Sequence, residues 1–310
     1  MRLRLGILLL AAASLAAAKT YYVTVAGLGG EADYEQRFAA WAERLDRLLR
    51  ESGPDAEVYT LSGDEARKER LRAVLEEIAA KAAPGDAFAL MLIGHGTYDG
   101  FEYKMNLPGP DITATELAEL LDRIPAKRQL VANMTSSSGG ALALLARPGR
   151  IVITATKSGT QNNAVVFARY WVGALEDAAA DTDKNGVISA LEAFRYATRK
   201  TQDFYIKQKR LATEHALLED TGQGRGERNP SVENGYGLEA RRFAVLRIGE
   251  AQRAAQDPAK RALLAKKEAL EEAIDKLKYE KAAMPLAEYR ARLTQLLLEL
   301  AKTQRALDGT

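Results

Sequence analysis

Two hydrophobic rhythms alternate along the chain. Residues 20–27 (TYYVTVAG) are β-branched and aromatic and end in Gly, which predicts a buried strand. Over 33–52, Tyr34, Phe38, Trp41, Leu45, Leu48 and Leu49 recur at spacings of three and four. That is one face of an amphipathic helix, stopped by Ser52-Gly53-Pro54. A short strand at 57–61 follows, then a helix from about Asp64 to Lys81, then the apolar strand 86–93 (DAFALMLI). A short extended piece at 101–106 precedes a helix at 113–123, where Thr113 and Glu116 have capping-box spacing. Strands at 128–134 and 150–156 flank a helix beginning near Gly139. Strands alternating with helices imply an α/β fold with a mostly parallel sheet covered on both faces, whose ligands bind at the carboxyl ends of the strands.

The second half reads differently. Residues 163–208 are mostly helical around an acidic loop, and His215 falls in a stretch (ATEHALL) with helical character. Residues 219–237 are Gly-rich and nearly devoid of apolar side chains, so a mobile loop and connector are expected over 219–248. From 249 to 310 two helices are expected, broken near Met284-Pro285. Leu263, Leu270, Ile274 and Leu277 form one stripe, and Tyr289, Leu293, Leu296 and Leu300 the other. This helical hairpin either packs on the main domain, 19–218, or serves as a dimerisation arm.

Composition sharpens the picture at three points. Arg2 and Arg4 precede an apolar run, Leu5 to Leu15, and Ala16-Ala17-Ala18 offers a cleavage site, the form of a signal peptide over 1–18. Export to a periplasmic or extracellular space is therefore expected. The apolar run is shorter than the about 20 residues a membrane span requires. Without that segment, 42 basic residues balance 42 acidic ones, so no global field favours nucleic acid or a membrane surface. Finally, the chain contains no Cys, which excludes disulfides, thiolate metal sites and a cysteine nucleophile.

Gly27-Leu28-Gly29-Gly30-Glu31-Ala32 has the spacing of a dinucleotide-binding turn. An exported protein meets little free dinucleotide, and the next strand ends in Thr60-Leu61-Ser62-Gly63-Asp64, which places the acidic ribose partner poorly. A tight turn without organic cofactor is the expectation.

Two other loops could carry chemistry. Strand 86–93 runs into Gly94-His95-Gly96-Thr97, one of only two histidines in the chain, between glycines that permit close approach of a ligand. The strand at 128–134 ends in Thr135-Ser136-Ser137-Ser138-Gly139-Gly140. Hydroxyls at such a junction act either as helix caps or as nucleophiles.

In the order and spacing of these elements the chain resembles the legumain-like branch of the caspase-like cysteine peptidases, over roughly residues 20–215. Gly94-His95-Gly96 matches the turn that carries the family's histidine. Ser136 falls at the position of the catalytic Cys when Ser138-Gly139 is aligned with the family's S-G pair; a caspase-style register selects Ser137 instead. The resemblance implies a three-layer caspase-like domain and a His95/Ser136 catalytic site. It also implies an oxyanion hole from Gly96 and the Ser136 backbone, and a substrate pocket lined by Thr154, Ala155 and Thr156 in the strand Ile151 to Thr156. The missing Cys alters the chemistry. A thiol has a pKa near about 8.5, whereas a serine hydroxyl needs an oriented base. Asp99 is the acid nearest His95 in sequence. A serine-variant endopeptidase, a peptide-binding pseudopeptidase and reuse of the fold for an unrelated purpose all remain open.

One further motif is independent of that family. Asp181-Thr182-Asp183-Lys184-Asn185-Gly186-Val187-Ile188-Ser189-Ala190-Leu191-Glu192 fits an EF-hand calcium loop. Asp181, Asp183 and Asn185 would supply side-chain oxygens, Val187 its carbonyl, Ser189 a ligand or bound water, and Glu192 a bidentate carboxylate. Asp181 and Asp183 could instead only cap the following helix, with no metal bound. No second such loop is present to pair with it. A calcium-stabilised, non-catalytic interaction protein acting through its helical arm is thus the alternative to a peptide-binding or peptide-cleaving site.

Overall fold

A computed structural model describes residues 18–309; the expected signal peptide lies almost wholly outside them. The first half alternates β1 (Thr20–Ala26), α1 (Ala32–Arg50), β2 (Ala56–Leu61), α2 (Lys68–Lys81), β3 (Ala87–Gly94), β4 (Gly96–Tyr98), β5 (Tyr103–Met105), β6 (Ile112–Thr113), α3 (Ala114–Asp122), β7 (Arg128–Thr135), α4 (Leu142–Leu145) and β8 (Arg150–Thr154). Then come α5 (Phe167–Glu176), β9 (Val187–Ser189), α6 (Ala190–Lys207), β10 (Leu217–Glu219), α7 (Leu238–Arg242), β11 (Ala244–Arg247), α8 (Gly249–Gln256), α9 (Arg261–Tyr279) and α10 (Leu286–Asp308).

Six strands form the central sheet in the order β10-β8-β7-β3-β1-β2. Five are parallel and β10 runs antiparallel at the edge. The period-two alternation of each strand divides its side chains between two cores. Tyr22, Ala89, Met91 and Ile93 face α1, α5 and α6, while Tyr21, Val23, Phe88, Leu90 and Leu92 face α2, α3 and α4. Every residue of β3 is buried, as its unbroken apolar run requires. This is the α/β architecture, a mostly parallel sheet covered by helices on both faces, expected from the strand–helix alternation. The Thr113/Glu116 capping box is formed.

Three expectations need correction. The boundary placed at 218 falls inside β10, so the main sheet extends past it. The Gly-rich segment is folded back and bonded rather than free. Asp220 accepts hydrogen bonds from Gly237 and Ala240 N–H, Glu219 from Thr221 and Gln223, and β11 pairs with β9. Its polar side chains satisfy backbone groups, so its lack of apolar residues does not leave it unanchored. Third, the stretch from 249 holds three helices, because Asp257-Pro258 separates α8 from α9. The helical hairpin itself, α9 and α10 with its break at Met284-Pro285, is present. Leu264 of α9 and Leu307 of α10 pack on Ala251, Ala254 and Ala255 of α8. Among the described residues no helix is long and apolar enough to cross a membrane.

Candidate functional site

At the carboxyl ends of β3 and β7, Gly94 pairs with Thr135, which brings His95-Gly96 beside Ser136. The two glycines have backbone reasons to be there. Gly94 has φ 149°, in the region that favours glycine. A Cβ on Gly96 would lie 2.6 Å from the Ser136 carbonyl oxygen and 2.6 Å from the Tyr103 ring. The glycine pair therefore reflects contact between strands, and room for a ligand is not needed to explain it.

Ser136 is 2% exposed. Its Oγ accepts the Gly96 N–H at 3.0 Å and donates to the Gly96 carbonyl at 3.0 Å. The N–H assigned to the oxyanion hole is thus occupied by the serine itself, and the serine's proton points to a carbonyl. Among the described residues no hydrogen bond links Ser136 to the His95 ring. That ring is half-buried, edge-on to Tyr34 at 4.8 Å and Phe38 at 5.2 Å. Burial lowers its pKa, against the opposing pull of the Gly29 backbone and the Glu31 and Glu35 carboxylates. Burial thus favours the neutral form of the ring. Asp99 does not orient it: Asp99 Oδ1 accepts from the Phe101 and Glu102 N–H groups, both at 2.9 Å, and shapes the β4–β5 turn. The backbone that acts on the ring is that of Gly29, in the turn after β1.

Ser137 is fully buried, in the left-handed region (φ 57°), and its hydroxyl has no partner. An unpaired buried hydroxyl and a left-handed non-glycine residue each cost about 1–3 kcal/mol, and both fall on this residue. Its N–H donates to the Gln161 carbonyl at 2.9 Å. The expected pocket residues Thr154, Ala155 and Thr156 are fully buried. Thr156 Oγ1 accepts the Gly139 N–H, and Thr154 Oγ1 donates to the Thr156 carbonyl. Nearby in sequence, at Gly140 and Gly159, the Tyr98 ring packs so closely that a Cβ at either would collide with it.

His215 was missed as a site neighbour. It lies outside any helix, two residues before β10, with Nδ1 2.7 Å from the Gln161 amide. Register would have been the signal: Leu217 pairs with Thr154, which carries His215 to the carboxyl end of the sheet. Beside it, Glu214 accepts the Val166 and Phe167 N–H groups and the Tyr205 hydroxyl, and burial pushes its carboxyl up to about 7. The glycine turn after β1 is filled internally, because Glu35 Oε1 accepts the Gly29 N–H at 2.8 Å and the Gly30 N–H at 3.3 Å. An open cavity of about 300 Å³ beside it is lined by Ala26, Gly27, Glu35 and Phe38; neither His95 nor Ser136 lines it.

The acidic loop is folded on itself. Asp181 accepts the Asn185 and Gly186 N–H groups, Gly186 has φ 86°, and Ile188 is buried in the main core. Strand β9 within the loop pairs with β11, which takes the place of the strand a second such loop would offer. Ligand atoms of Asp181, Asp183 and Glu192 lie within 4.8 Å of one another. Val187 and Asn185 stay in the loop, bonded N–H to Oδ1, and the Ser189 hydroxyl forms a capping box with Glu192. Burial first, and Glu192 next, push the Asp183 carboxyl up, while Arg241, 3.0 Å away, pulls it down. Lys267 of α9 donates to the Asn185 carbonyl at 2.7 Å.

No family model matches the chain, and no curated protein does. Among solved structures, it is similar to the Drosophila initiator caspase Dronc, at 11% identity and TM-score 0.43, over 67% of this chain and 81% of that one. It is also similar to protein GSU0716 from Geobacter sulfurreducens, at 14% identity and TM-score 0.45, over 74% of this chain and 100% of that one.

Proposed function

We propose that this chain is an exported, caspase-like pseudopeptidase that works by binding peptide or protein and not by cleaving it. The observation that carries the reading is the double hydrogen bond between Ser136 Oγ and the Gly96 backbone. To attack a carbonyl, Ser136 would have to break both bonds, turn its proton to His95 and vacate the N–H that should hold the oxyanion. Each buried bond lost costs about 1 kcal/mol or more before any chemistry begins. No Cys is available to make the step easier.

Residues 19–310 incubated with a mixed peptide library, beside Ser136→Ala and His95→Ala, test this by mass spectrometry. No cleavage by the folded wild type is expected. Cleavage lost in both variants would establish a serine-variant endopeptidase and overturn the proposal.

The interaction surface is supported best at the helical arm. On α10, Leu286 is 53% exposed and Leu298 58%, whereas the Thr154–Thr156 segment is closed. Calcium is proposed as a structural ligand of the 181–192 loop. Asp181, Asp183, Asn185, Glu192, the Val187 carbonyl and Ser189 form an all-oxygen set that suits a hard cation. Burial first, and the Glu192 charge next, raise the Asp183 carboxyl, and a cation would offset both. Calcium would supply that positive charge and fix β9 and α6.

A further inference from the structure

The chain's overall neutrality conceals a local feature at the end of α6. Six consecutive residues there, Ile206 to Leu211 (IKQKRL), are all exposed. The Arg210 N–H donates to the Tyr205 carbonyl and the Lys209 N–H to the Ile206 carbonyl, with Lys209 at φ 51°. This crossed pair of bonds is a Schellman cap, whose left-handed position is usually glycine. Lysine there is conformationally unfavourable, yet it places an ammonium group at the turn. Such caps commonly fold a following apolar residue back onto the helix. Here Leu211 remains 90% exposed and Ile206 72%. The body of α6 is anchored by Leu191, Phe194, Ala197 and Tyr205, so the tip is held by a rigid element.

Lys207, Lys209 and Arg210 make no salt bridge among the described residues. The nearest acids in sequence do not neutralise them. Asp203 is exposed a turn back, and the Glu214 carboxylate points inward onto the Val166 and Phe167 N–H groups. Cations suit a helix C-terminus through the backbone dipole, which accounts for the charges but not for the two aliphatic side chains.

We propose that this tip docks on an anionic lipid surface, with Ile206 and Leu211 entering the boundary between headgroups and acyl chains and Lys207, Lys209 and Arg210 resting on the headgroups. A convex turn with aliphatic side chains at its two ends suits a fluid surface, which closes around them; a protein partner would need a matching groove. Basic clusters next to apolar anchors gain from negative surface potential within about a Debye length, so zero net charge overall does not oppose the contact. The inference is independent of what the His95/Ser136 region does.

The test is cosedimentation of residues 19–310 with vesicles of phosphatidylcholine containing about 30 mol% phosphatidylglycerol, and with phosphatidylcholine alone, in EDTA. Omitting residues 1–18 removes an apolar run that would itself partition. Binding to the anionic vesicles only is expected, weakened about tenfold or more by Ile206→Ser/Leu211→Ser and abolished by Lys207→Glu/Lys209→Glu/Arg210→Glu. All substituted side chains are exposed, so folding should survive, and circular dichroism would verify it. A Leu211→Trp protein should show a blue-shifted emission that brominated lipid quenches. No binding by the folded wild type would overturn the proposal. So would binding that both multiple variants retain. Salt-sensitive binding without quenching at position 211 would also reject insertion and point to an acidic macromolecule instead.

Discussion

The carboxyl end of β3 and β7 and the acidic loop 181–192 both match a sequence motif, but they have kept different things. At the first, the histidine turn and hydroxyl cluster match a pattern while their polar atoms are used internally: Ser136 on Gly96, Thr156 on Gly139. At the second, the carboxylates of Asp181, Asp183 and Glu192 converge, although Asp181 and Glu192 also accept hydrogen bonds from within the loop. A motif match records residue types at a spacing. Whether the chemistry is available depends on where the hydrogen bonds go: at the first place they occupy the atoms that would react, and at the second they gather the carboxylates.

The largest effect that could break this comparison is expected at Gly96. Gly96→Ala should cost about 3 kcal/mol or more in urea unfolding, since its Cβ would meet backbone oxygen and a buried ring. Gly85→Ala, where a Cβ meets nothing within 4 Å, should change stability by less than about 0.5 kcal/mol. Equal stabilities for the two variants would mean that Gly96 is not fixed by packing and that the site has room after all.

A pH titration separates the regions next. Glu214, beside the first, and Glu271, near the loop, both have carboxyls pushed up from 4.5 to about 7, chiefly by burial; at Glu271 Lys267 opposes this and Asp183 adds to it. Between pH 4.5 and 7 the folded state then holds a proton that the unfolded state has released. Stability is therefore fully favoured below 4.5, falls as pH rises through that window and levels off above 7. For Glu214, 3% exposed, the loss is about 3 kcal/mol. Denaturation at a series of pH values should show a shallower slope in Glu214→Gln, with or without calcium. In Glu271→Gln the slope change should be somewhat larger without calcium, because a bound cation offsets the smaller Asp183 contribution while the burial contribution stays. A Glu271 contribution indifferent to calcium would show that the ion does not bind beside it.

Calcium itself should matter less. With a dissociation constant of about 10⁻⁴ M, about 1 mM calcium would raise the unfolding free energy by about 1.4 kcal/mol. Glu192→Gln should abolish that gain in a thermal melt. An equal gain in both proteins would place the ion elsewhere.

How much of this was legible follows from which interactions are local. The Thr113 capping box, the α1 stripe and the unbroken run of β3 depend on neighbours a few residues away, and each is found where the spacing indicated. β10 was not readable, because three residues (Leu217–Glu219) become a strand only through pairing with β8. The same pairing carries His215 out of its apparent helix and to the sheet's carboxyl end. Gly29 was missed for a related reason: its part in the site is made by backbone 66 positions from His95, and no side-chain motif marks it. The hydroxyl row was read correctly as a cluster, but which of its members is bonded to Gly96 and which is left unpaired is a fact of strand contact.

The finest discrimination lies in Arg241, which bridges Asp183 and Asp275 and so ties the loop to α9. Two roles are separable. As a resident counter-charge it competes with calcium for Asp183; as a brace it holds Asp183 where a cation needs it. The pair is only partly buried, so its loss should cost less than about 1 kcal/mol without calcium. Arg241→Gln keeps a donor near both carboxylates and removes the charge. Competition predicts that calcium binds a few-fold more tightly to this variant in a chelator titration, and that the gap narrows at high salt as the arginine's field is screened. A weaker site at every salt concentration would instead assign Arg241 to preorganisation. The loop would then resemble the carboxyl end of β3 and β7 more than its motif suggests, with polar groups already committed to holding the fold.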